Sequence, residues 1–171
     1  MRRWLFAIVV ILAFYLDNVF FNIVNVLGIR PDITLVVAVS LGVLLGGGPA
    51  ALTGLVMGLI ADIIFNKLVG PSALIYMLCG IAGGVFYRKF YADNLIIPTA
   101  TAMVCFFIKE HIMLIVTRLA GGRPPYFMTL VSYILPSLLV TGAACVLIHL
   151  FLKHNLFRPL WRKEAIKLEQ Q

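Results

Sequence analysis

The chain has 171 residues, 62% of them hydrophobic and 12% charged, with a formal net charge of +7. Soluble domains carry roughly 45–50% apolar and about 25% charged residues, and a soluble fold of this size still exposes about 30% of its chain surface. The composition therefore excludes an ordinary water-soluble domain and points to one compact membrane domain, with no room for a second.

The few charges sit at the edges of apolar runs, and these edges predict six transmembrane helices over residues 4–26, 33–45, 50–65, 72–87, 95–119 and 127–152. A helix needs about 20 residues to cross a hydrocarbon core of about 30 Å. The first, fifth and sixth runs reach that length. The second, third and fourth are short and must borrow flanking residues, stop short or thin the bilayer. Runs two and three meet at Gly46-Gly47-Gly48-Pro49 with no charge between them. They are expected either as two spans or as one broken, re-entrant element whose backbone is satisfied inside protein.

The first run opens with Arg2 and Arg3 like a secretory signal, but it is long and no small-x-small cleavage site follows, so it is expected to remain as a helix. In its outer half Asn18, Asn22 and Asn25 recur at helical spacing beside Asp17. Such amides bond across helices, at about 0.6–2 kcal/mol each, so this face is expected to meet protein or a cavity. Next comes Arg30-Pro31-Asp32, a polar knot between two apolar runs. Proline donates no amide and disfavours helix in the residue before it, which ends the first helix before Arg30. Asp32 then starts the next helix, where a carboxylate accepts backbone N–H bonds and favours the helix dipole.

The third run carries Gly46, Ala50, Gly54, Gly58 and Asp62 at four-residue spacing, and Gly80 and Gly84 repeat the pattern in the fourth. Four residues are slightly more than one turn, so Ala50, Gly54, Gly58 and Asp62 form a slowly rotating stripe. Small-residue stripes let helices approach closely where lipid gives no hydrophobic drive to association. A carboxylate near mid-membrane costs about 2.5–3.5 kcal/mol on insertion scales. Asp62 is therefore expected either as a cap partner for the turn at 66–71 or as a polar contact at a helix junction.

In the fifth run Lys109, Glu110 and His111 lie near the centre of an apolar segment. Three consecutive residues cover about 200° of a helix, so all three cannot face one cavity. Lys109 and Glu110 are the candidates for intramembrane partners, with Asp17 a possible mate for Lys109. Ionisable residues in membrane helices mark ion or substrate pathways by default. The alternatives are a structural ion pair, or a break in the helix that brings the triplet to an interface. Cys79, Cys105 and Cys145 lie far apart inside apolar runs and read as packing residues, and the three histidines show no ligand spacing.

Residues 1–152 are thus expected as a multi-pass domain and residues 153–171 as a basic tail. With six crossings, Arg2, Arg3, Arg88, Lys89 and the basic residues of the tail fall on one side, against Arg30, Lys67, Arg118 and Arg123. The richer side is cytoplasmic by the positive-inside rule, which places both termini inside. The tail is expected as a topology anchor, or as a basic helix on anionic lipid at about 1 kcal/mol per cation. Loop charge asymmetry accounts for the net charge without nucleic acid. No nucleophile stands at base spacing, and Gly46-Gly47-Gly48 lacks the lysine and hydroxyl of a phosphate loop, so neither an enzyme nor a cofactor is expected.

The stretch 30–80 resembles the bacterial rod shape-determining protein family MreD. The resemblance rests on Arg30-Pro31-Asp32 opening an apolar helix, then Gly46 and Pro49, then Gly54, Gly58 and Asp62, then Gly70, Ala73, Leu74 and Gly80. It implies a non-catalytic inner-membrane protein of the cell-wall elongation machinery, bound to the single-span protein MreC. It implies links to MreB and to RodA with its partner transpeptidase, and an all-α fold like the substrate-binding subunits of energy-coupling-factor transporters. The expectation is a scaffold whose helix-packing surface, formed by Arg30, Pro31, Asp32, Gly54, Gly58, Asp62, Gly80 and Gly84, meets MreC and a possible second copy. The rival is a subunit of a vitamin-type small-solute transporter, motivated by Asp17, the three asparagines, Lys109 and Glu110. A scaffold predicts a dry core and an apolar groove facing a partner helix; a transporter predicts a solvated polar cavity.

Overall fold

The computed structural model describes residues 10–17, 30–65, 69–87, 95–119, 121 and 125–153. Residues 10–17 are helical, and six α-helices follow among the described residues. These are α1 (Ile33–Leu45), α2 (Gly47–Phe65), α3 (Pro71–Val85), α4 (Ile96–Leu119), the single turn α5 (Tyr126–Thr129) and α6 (Leu135–Leu152). A π-helical segment, Leu130–Ile134, joins α5 to α6 in one continuous helix. Among the described residues there is no strand.

Helix α1 is apolar on every side, and such a helix has to be surrounded. It is: Ile33 to Gly42 are all buried, and α2, α3, α4 and α6 each pack against it. Asp32 caps its start, its carboxylate accepting the Leu35 N–H at 2.8 Å. Its end is set by Gly46 at φ +96°, a left-handed conformation that glycine adopts without a Cβ penalty. Runs two and three are thus two separate helices, broken at Gly46. Helix α2 begins at Gly47, three residues before the predicted boundary, because Gly47 and Gly48 continue as helix on the far side of that break.

Helix α2 runs antiparallel to α3 along a seam of small residues. Gly54 lies against the Tyr76 carbonyl, and Gly84 against the Gly47 backbone. A Cβ on Gly58 would stand 2.6 Å from Ala73 Cα, and one on Gly80 2.7 Å from the Ala50 carbonyl carbon. Helix α1 joins the seam from the other side, with Gly42 against the Gly80–Gly84 backbone and Val39 against Gly83. Backbones this close exclude side chains, so the gain comes from extensive van der Waals contact. One core, with Leu35, Val36, Val39, Ile75, Tyr76, Phe106 and Cys145, fills the space between α1, α3, α4 and α6. A second, with Ala13, Val37, Leu41, Ala50 and Met57, joins residues 10–17 to α1 and α2.

The outer surface is apolar: Leu52, Ile63, Leu78, Val104, Leu139 and Leu147 are all exposed. Gly47–Phe65, Ile96–Leu119 and Tyr126–Leu152 are long and apolar enough to cross a membrane, whereas α1 and α3 are shorter apolar helices. Helix α4 is unbroken, so Lys109, Glu110 and His111 lie in mid-helix and not at a break.

Candidate functional site

Polar groups gather at one end of the bundle, where α1 and α3 begin and α2 ends. Asp32 is the centre of the group. Its Oδ2 is 2.7 Å from Lys109 Nζ and accepts the Tyr76 hydroxyl at 3.4 Å, while its own N–H donates to Thr141 Oγ1 at 3.2 Å. The Arg30 N–H donates to Ser137 Oγ at 3.2 Å. Serine and threonine of α6 thus hold the segment before α1, whose amides have no helical acceptors.

Lys109 also meets Glu110 Oε1 at 3.0 Å. Asp17 was offered as a possible mate for Lys109, but the ion pair forms with Asp32, at the head of the central helix, and Asp17 Oδ2 accepts the Thr34 N–H at 3.0 Å. His111 faces away, hydrogen-bonded to the Phe107 carbonyl and the Tyr126 hydroxyl. Asp62 closes the start of α3, its Oδ2 accepting the Gly70, Ser72 and Ala73 N–H groups at 2.9, 3.0 and 3.3 Å. One carboxylate so serves as cap partner and as helix-junction contact.

Above this network lies a cavity of about 380 Å³. Asp17, Arg30, Asp32, Tyr76, Lys109 and Tyr133 give it polar walls, and Pro31, Phe65, Phe106 and Met113 give it apolar ones. Glu110 supports Lys109 without lining it. Asn18, Asn22 and Asn25 lie outside the described residues. Gly54, Gly58, Gly80 and Gly84 are in the α2–α3 seam, packed against backbone of this chain. Sequence reasoning missed Tyr76, Tyr133, Ser137 and Thr141. Hydroxyls inside apolar runs were the available signal, since a buried hydroxyl without a partner is costly.

A second concavity, of about 440 Å³, is almost wholly apolar and runs between residues 10–17, α1 and α6. Leu12, Leu16, Val37, Ala144, Leu147 and Phe151 line it. The bundle therefore has both an apolar groove and a polar-lined cavity. Among the described residues no three histidine, cysteine or acidic side chains are placed to share a metal ion.

No curated protein and no solved structure matches the chain. The profile of the family described as rod shape-determining protein MreD matches residues 1–160. With that match and three helices able to cross a bilayer, this multi-pass membrane protein belongs to the MreD family.

Proposed function

We propose that the chain is a non-catalytic scaffold of the bacterial cell-wall elongation machinery, set in the cytoplasmic membrane with both termini inside and bound to MreC. The observation that carries this reading is the family match over residues 1–160. MreB, RodA and its transpeptidase are the further partners this reading names, a second copy of the chain is another, and residues 153–171 form its basic cytoplasmic tail.

The glycine stripe packs inside the chain, so the partner surface is sought elsewhere. The apolar groove between residues 10–17, α1 and α6 is concave and open, which suits the ridge of a single apolar helix. The test is a mild-detergent pull-down of the tagged protein from its own membranes. MreC in near-stoichiometric amount supports the scaffold, and Ala144→Trp, which fills the groove, is expected to reduce that recovery while leaving the protein monodisperse. Recovery without MreC would count against the reading. The polar cavity favours a second reading, a small-solute transporter subunit, for which an ATPase pair and a coupling membrane subunit would co-purify instead.

A further inference from the structure

We infer that the polar cavity is a binding site for a small zwitterion, a molecule joining an ammonium to an oxyanion through a short linker. The inference concerns the occupant of the cavity and holds whether the chain acts as scaffold or transporter subunit. The volume of about 380 Å³ falls within the range of roughly 300–1,000 Å³ typical of small-molecule sites.

The walls carry two carboxylates, Asp17 and Asp32, and two cations, Arg30 and Lys109. A bare cation or a bare anion would leave one pair facing a like charge, whereas a zwitterion meets both. Asp17 supplies the ammonium side. It accepts one hydrogen bond, from the Thr34 N–H, and among the described residues it forms no ion pair. An ionised carboxylate offers about four acceptor positions, so Asp17 keeps most of its capacity. A ligand ammonium would take the acceptor positions that the Thr34 N–H leaves open.

Lys109 supplies the oxyanion side. Its ammonium has three N–H donors, and Asp32 and Glu110 engage two of them. The third is the donor that a ligand oxygen would take. The Tyr133 hydroxyl lines the same cavity and adds a donor. Phe65 and Phe106 offer apolar contact to the linker.

A soluble amino-phosphate and the zwitterionic headgroup of a phospholipid share this chemistry, and two arms of one experiment separate them. In the first, the full-length protein in detergent is titrated by calorimetry with phosphoethanolamine, ethanolamine and inorganic phosphate. In the second, it is placed in nanodiscs of equal phosphatidylethanolamine and phosphatidylglycerol, and the lipid retained after re-extraction is identified by native mass spectrometry. A soluble occupant gives phosphoethanolamine binding at least tenfold tighter than either half-molecule. A lipid occupant gives a similar excess of retained phosphatidylethanolamine.

Asp17→Asn removes the ammonium partner and Tyr133→Trp fills the cavity from another element, so the test survives if one variant fails to fold. Each is expected to abolish the preference. The inference is overturned if neither arm shows a preference, or if it persists in every variant that folds. Loss of MreC recovery with the preference intact would instead remove only the scaffold reading.

Discussion

Asp32 does the work of a cap and of a counter-ion at once, so its neighbours are coupled. Lys109→Met would leave a buried carboxylate facing Tyr76 without its cation. Breaking one side of a buried ion pair costs about 3–5 kcal/mol, and the double variant with Asp32→Asn is expected to recover much of the loss. Unfolding in detergent checks this, and a Lys109→Met protein as stable as the parent would show that the pair is not structural. Asp62→Ala strips the acceptor from three N–H groups at the start of α3 and is expected to cost about 1–2 kcal/mol by the same measurement, with Asp62→Asn milder. The capping of α1 could be read from Pro31-Asp32, because proline and cap chemistry are local. The partner of Lys109 could not. It lies 77 positions away, and only the packing order of the helices decides which acid reaches it.

Helices meet here through backbone, and that makes substitutions in the seam unequal. Gly54→Leu and Gly84→Leu would push a side chain into the backbone of the facing helix, and overpacking of about 1–3 kcal/mol or more is expected to lower folded yield. Gly48 faces open space at a helical φ, so Gly48→Ala is expected to leave yield unchanged. Monodisperse protein recovered by gel filtration checks both, and equal yields would remove the seam as a stability determinant. The four-residue spacing was legible, since small residues recur once per turn. That the α2 stripe is filled by α3 was not, because a stripe names a face and not its occupant. The π-helical segment was equally hidden. It precedes Pro136, whose missing N–H and ring clash with the Ser132 carbonyl disturb a regular helix, and the wider turn accommodates both. Tyr133 reaches the cavity wall from this segment.

At the scale of the bundle, the proposed orientation puts the polar cavity on the outer side. In a background free of Cys79, Cys105 and Cys145, Val69→Cys is expected to react with an impermeant maleimide on intact cells, and Lys153→Cys only after permeabilisation. The reverse pattern would invert the topology. Hydropathy gave the apolar runs and their order, since lipid and protein interior both demand apolar side chains. It could not explain why the second run is so short. At 13 residues α1 is about 20 Å long, well under the bilayer core, yet it is enclosed by other helices and has no hydrocarbon thickness to match. That enclosure bears on how the protein is made. When α1 leaves the ribosome, α2, α3, α4 and α6 do not yet exist, and Ser137 and Thr141, which hold the amides before it, are synthesised more than 100 residues later. A chain arrested before α6 would leave the Arg30 and Asp32 amides without these acceptors, a form open to membrane quality-control proteases.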